Sequence, residues 1–176
     1  MDAENLISVL HLNENPEYIL FKIALLFAEQ SLQVWFISPK PFENIPVNIV
    51  QIDKEILQQI TFLYLKDFKD LITELNGIHL WHKAPNIIIL SHFKTYLEAL
   101  DKNSSFFAAF ILASVLDGAA VSTKRNKKKT LVLICLEDIT NLDQFQIIFD
   151  MYFSHFIPKM DQDNIVDTIV KLYINQ

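Results

Sequence analysis

The sequence predicts an α/β domain built on a mainly parallel sheet with helices on both faces. Short aliphatic runs, above all Ile87-Ile88-Ile89-Leu90, are apolar at every position rather than at alternate ones, as in strands buried on both sides. These runs alternate along the chain with segments of helical periodicity, the pattern of strand–helix–strand units. The composition agrees: 51% hydrophobic residues, 14 Phe and a mean hydropathy of +0.23 exceed what one small core absorbs. Either a sheet covered twice or a partner's surface takes up the excess.

At 176 residues a single domain is expected, with its core at about 6–158 and an extension of unassigned structure at 159–176. The first strand is Leu6–Leu12, followed by the polar turn Asn13-Glu14-Asn15-Pro16-Glu17 and a helix from Tyr18 to Gln30. A second strand, Leu32–Ser38, is stopped by Pro39 and Pro41, which cannot continue a central strand. An apolar, proline-bearing connection covers 42–50, then a short helix Asp53–Gln59 and a third strand Ile60–Tyr64. From Asp67 to His82, Phe68, Leu71, Ile72, Leu75, Ile78 and His79 share one face of an amphipathic helix. Asp67 is its expected N-cap, and Gly77 interrupts its last turn.

After strand 87–90 come a short helix at 94–100 and a loop, Asp101–Ser105, whose Ser104 or Ser105 suits the cap of the next helix. That helix, Phe106–Thr123, is apolar nearly all round, with Asp117 its only acid. The run Lys124-Arg125-Asn126-Lys127-Lys128-Lys129 ends it, where the helix dipole favours cations. Strand Thr130–Leu136, the acidic turn Glu137-Asp138, a helix at about Leu142–Tyr152 and a strand within Phe153–Pro158 complete the core. Ile165–Ile174 fits helix or strand equally well.

Composition also sets limits. The longest apolar stretch, Phe106–Leu116, is too short to span a bilayer, and Met1-Asp2-Ala3-Glu4 lacks the basic start of a signal peptide. The lone Cys135 sits in an apolar strand, so no intrachain disulfide forms and a buried small hydrophobe in a reducing compartment is expected. A net charge of −6 supplies no global field for nucleic acid, so any such binding rests on a local patch.

Strand, tight turn and helix at the start of the chain is the arrangement of a phosphate-binding loop. Such a loop needs glycines for close backbone approach and a lysine for the β- and γ-phosphates. Here there is no glycine, Pro16 lacks an N–H, and the carboxylate of Glu17 repels phosphate. The scaffold is kept while its phosphate chemistry is lost.

Several stretches resemble the small RecA-like recombinase paralogue that partners the SWIM-domain zinc-finger protein in the Shu complex. They are Ala24–Ala28, Val34–Pro46, Leu57–Tyr64, Asn86–Leu97 and Ile111–Ala120, in order within about 6–158. The resemblance implies a RecA-like core whose phosphate loop of pattern G-x-x-G-x-G-K-T falls on His11–Tyr18. Its glycines become His11, Glu14 and Pro16, its lysine Glu17 and its magnesium-binding hydroxyl Tyr18. The acid of its second metal-binding motif becomes Ser91, a poor ligand for magnesium.

What the resemblance implies is therefore a nuclear, non-catalytic subunit without a cofactor, assisting homologous recombination and DNA repair. Its implied partners are a SWIM zinc-finger protein, in a heterodimer or larger complex, a recombinase, and single-stranded DNA, with no membrane. Two other readings stand beside it: a nucleotide-free RecA-fold scaffold like the small Elongator subunits of tRNA modification, and an NTPase with a non-standard loop. The substituted loop disfavours the last.

The DNA-binding candidates are Lys124, Arg125, Lys127, Lys128 and Lys129, five of the chain's 15 basic residues. Phosphate contact, nuclear import and a merely solvated loop all fit such a run. The recombinase docking pattern Phe-x-x-Ala occurs at Phe106–Ala109 and at Phe21–Ala24, and chance accounts for both in so Phe-rich a chain. His79 and His82 share a helical turn without a cysteine or acid to complete a metal site, which favours helix packing. Asp117 reads as a buried acid, either functional or bonded to a core N–H or hydroxyl. No Ser/His/Asp or Cys/His arrangement is legible from spacing.

Overall fold

Strands without a polar face must sit in the middle of a sheet, and the three most apolar runs of this chain do. The computed structural model describes residues 6–12, 16–42, 52–98, 104–137, 147–148, 150–152, 155–157 and 162–174. Its strands are β1 (Leu6–Leu12), β2 (Val34–Ser38), β3 (Ile60–Tyr64), β4 (Ile87–Leu90), β5 (Leu131–Glu137) and β6 (His155–Ile157). They form one sheet in the order β3-β2-β4-β5-β1-β6, and every neighbouring pair is parallel.

All residues of β2 and β4 are buried. Val34 stands opposite Ile87 and Ile87 opposite Leu131, so alternate residues line up in rows across the sheet. The row of Val34, Ile87 and Leu131 faces α1 (Pro16–Glu29), α2 (Lys54–Leu57) and α6 (Gln162–Ile174). The row of Trp35, Ile88 and Val132 faces α3 (Phe68–Asn76), α4 (Phe93–Glu98) and α5 (Ser104–Asn126). Two separate hydrophobic layers result, one on each side of the sheet.

Helix ends depart from the sequence reading in instructive ways. Helix α1 begins at Pro16, two residues early, because proline's missing N–H is harmless in a first turn and Glu17 suits its positive end. Helix α3 stops at Asn76 rather than His82. Gly77 N–H bonds the carbonyls of Thr73 and Glu74, and a 3₁₀ turn, Ile78–Leu80, follows. Its start is as expected, with Asp67 Oδ1 accepting from Asp70 N–H at 2.9 Å.

Helix α5 runs beyond the expected Thr123 to Asn126, so Lys124 and Arg125 form its last turn. As a continuous helix it is long and apolar enough, by length and composition, to cross a membrane, unlike the shorter run judged from sequence. Its stripe of Ala108, Ile111, Leu112, Val115 and Ala119, spaced by three and four, is instead buried in the layer beneath it. Residues 162–174 are helix, and Ile165, Val166 and Ile169 of α6 are buried against the α1 side. The ring of Tyr173 lies 5.4 Å from that of Phe27, edge-on. The C-terminal helix thus belongs to the core. The predicted connection at 43–50, most of the loop before α5, and the turn and first helical residues after Glu137 lie outside the described residues, whereas 147–148 and 150–152 are helical.

Tyr96 joins α4 to the turn after β3, its buried hydroxyl donating to the Leu65 carbonyl at 2.9 Å. Burial first, and then the carboxylates of Asp67 and Asp70, raise its phenol well above the ordinary value of 10.0. A raised folded-state value contributes stability that is complete below pH 10 and is lost as pH climbs towards it. Tyr96→Phe is expected to cost about 1 kcal/mol at neutral pH through the lost hydrogen bond. It is also expected to flatten the decline in stability above about pH 10, read by urea titration across alkaline pH.

Candidate functional site

In an open parallel sheet the natural crevice lies beyond the C-terminal strand ends, where outgoing connections diverge. Here β1 leads through α1 towards β2 on one side, and β5 leads to β6 on the other. Since β1 and β5 are neighbours, the divergence falls between them. The first turn of α1 and the segment after β4 flank this point.

The positions expected to hold phosphate and metal have other occupations. His11 lies on β1, in register with Leu136, and Glu14 lies outside the described residues. Pro16, Glu17 and Tyr18 make the first turn of α1, with Tyr18 half-buried against the α1-side core. Ser91 is fully buried, and its hydroxyl donates to the Ile37 carbonyl at 3.0 Å, as does its own N–H at 2.9 Å. Its side chain ties β4 to β2.

The next residue, His92, adopts a left-handed backbone with φ 54°, a conformation in which His is enriched among non-glycine residues. Nε2 of His92 then lies 3.5 Å from Oε1 of Glu17, with side chains only 14% and 26% exposed. The helix end where an anion would bind therefore meets the protein's own carboxylate and an imidazole. Tyr64, at the end of β3, also feels this carboxylate: burial and then Glu17 push its phenol up. No spacing rule couples residues 17 and 92, so sequence reasoning missed this pair; its one signal was a histidine just after the end of β4.

The basic run divides. Lys124, Lys127 and Lys128 are exposed and Lys129 is half-buried. Lys127 takes a left-handed conformation, φ 54°, that turns the chain out of α5. Arg125 is a clamp: Nη2 donates to the carbonyls of Trp81 at 2.7 Å and His82 at 3.3 Å, and Nη1 to Ile78 at 3.3 Å and His79 at 3.5 Å. It holds the turn after α3 through its backbone while remaining exposed at the surface. The run lies at the N-terminal end of β5, opposite the crevice, as its place in sequence implied.

Other candidates resolve plainly. His79 and His82 do not share a helical turn, because α3 ends before them; both are exposed, and His79 Nδ1 lies 3.0 Å from the Asn76 carbonyl oxygen. Among the described residues no group of three or more His, Cys, Asp or Glu gathers for a metal. Asp117 is exposed rather than buried, since it falls on the outer face of α5. Phe21 and Ala24 are core residues, whereas Phe106 is 65% exposed and meets the rings of Phe107 and Phe110. Cys135 is fully buried, as expected.

An all-parallel sheet in this order, covered by helices on both faces, with a helix rising from the switch point, makes this a RecA-like α/β core. Among solved structures, the crystal structure of the RadB recombinase matches it with a TM-score of 0.51 and 13% sequence identity. The match covers 80% of this chain and 66% of that one, just under two thirds of its length. The likeness is one of fold. No family model matches the chain, and no curated protein does.

Arg125→Ala is expected to destabilise the protein by about 1–1.5 kcal/mol, because four backbone carbonyls, of which the Ile78 bond alone is partly buried, lose a charged donor. Lys124→Ala, one residue away and exposed, is expected to stay within about 0.5 kcal/mol. Paired thermal melts separate the clamp from the solvated cation.

Proposed function

We propose that this chain is a non-catalytic RecA-like subunit that binds a SWIM zinc-finger protein and assists homologous recombination in the nucleus, touching single-stranded DNA through its basic cap. The observation that carries the non-catalytic part is the His92–Glu17 pair at the switch-point crevice. A phosphate brought within about 4 Å of Glu17 meets a repulsion of about 4 kcal/mol per unit charge at an effective dielectric near 20. That repulsion is roughly a thousandfold in affinity. The Ser91 hydroxyl, engaged with Ile37, offers magnesium no carboxylate in compensation.

The recombination role is supported by the RecA-like fold shared with the RadB recombinase and by the resemblance of the stretches between Ala24 and Ala120 to the Shu-complex paralogue. The SWIM partner rests on that resemblance. The exposed aromatic surface of Phe106 and Phe110 at the start of α5 is of the kind that interface cores use.

A tagged pull-down from nuclear extract, read by mass spectrometry, tests the partner. Recovery of a SWIM zinc-finger protein is expected, and recovery of Elongator subunits in its place would assign the chain to a scaffold of another assembly. A second measurement tests catalysis: millimolar ATP with magnesium is expected to leave the melting temperature unchanged. Binding at a hundred times its Kd would instead add about 2.7 kcal/mol of stability.

A further inference from the structure

Arg125 does more than close a turn. With Asn126, whose Nδ2 donates to Ala84 and Pro85 carbonyls at 3.1 and 3.0 Å, it fixes segment 78–85 against the cationic end of α5. On that segment His79, Leu80, His82 and Lys83 are exposed, and on the α5 cap so are Lys124, Lys127 and Lys128. The sequence holds no Asp or Glu from Leu75 to Leu97, nor from Gly118 to Leu136. The nearest acid before the turn, Glu74, has its Oε1 bonded to Trp81 Nε1. Two acid-free segments some forty residues apart in the chain thus become one basic surface in a protein of net charge −6.

We infer that this composite surface, with Lys83, His79 and His82 on one side and Lys124, Lys127 and Lys128 on the other, is the track for single-stranded DNA; it rests on the proposed DNA contact and says where and how the strand is held. The four lysines supply phosphate contacts independent of sequence. Two imidazole rings and Leu80, 79% exposed, supply flat and apolar surfaces for unstacked bases. A duplex keeps its bases stacked inside and leaves those surfaces without partners. An anionic bilayer is answered less well, because one exposed leucine beside lysines is a single shallow anchor where lasting attachment takes two strong signals. The track runs along the N-terminal strand ends, away from the crevice that holds His92 and Glu17.

The test is fluorescence anisotropy of a labelled oligothymidylate, longer than about 16 nucleotides, titrated with the full chain at several salt concentrations. Four lysine contacts predict a slope of log K against log salt of about −3. Lys83→Ala, outside the run that sequence singles out, is expected to weaken binding about fourfold at 0.15 M salt and to flatten the slope by about 0.7, like each cap lysine. Leu80→Ala is expected to weaken binding with the slope unchanged, and both variants to melt as the parent does. If the parent binds but neither substitution alters affinity, the turn is no part of the track, while DNA contact stands. If the parent binds phosphatidylserine vesicles and not the oligonucleotide, or binds neither, track and DNA contact both fall.

Discussion

Burial of the central sheet on both faces is the constraint from which the other features follow. Strands β2 and β4 and most of β5 present no polar side, so helices must cover them above and below. Crossovers between parallel strands are right-handed, so the direction of each step decides the face its helix takes. The steps β1 to β2 to β3 move one way and carry α1 and α2 on one face. From β3 the steps move back and carry α3, α4 and α5 on the other. The reversal leaves the crevice between β1 and β5, and it places every α-to-β turn at the opposite edge.

Most of this was legible, because it is written in periodicity. Five strands, β1 to β5, fall within two residues of where apolar runs placed them, and β1, β3 and β4 coincide at both ends. Helix ends were read less well, since they depend on single residues: Gly77 ends α3 nearly two turns early, while Lys124 and Arg125 continue α5. Residues 165–174 were ambiguous because their apolar positions fit both periods. Only packing on Phe27 and its neighbours selects the helix.

The contacts that build the site were not legible in the sequence. That Glu17 and Ser91 fall on phosphate and metal positions is what the resemblance implies. That Glu17 meets His92, or that Arg125 reaches carbonyls more than forty residues away, depends on tertiary contact, which no local pattern encodes. Asp117 shows the converse. In a helix apolar nearly all round, spacing does not say which side is outward, and the exposed face proved to be the one that carries it.

The two edges of the sheet answer their cations differently, and that difference carries the functional argument. At the C-terminal edge the His92 ring lies 3.5 Å from the Glu17 carboxylate and the Lys94 ammonium 3.3 Å from that of Glu98. At the N-terminal edge Arg125 is held by backbone carbonyls, and Lys124 sits on the negative end of α5. Carbonyls and a helix dipole stabilise a cation without neutralising it, whereas a carboxylate cancels its field at a distance. An external anion therefore meets the Glu17 carboxylate at the crevice, whereas the lysines of the α5 cap keep their field. On the function proposed above, the strand of DNA is met at the α5 cap, at the opposite ends of the strands from Glu17.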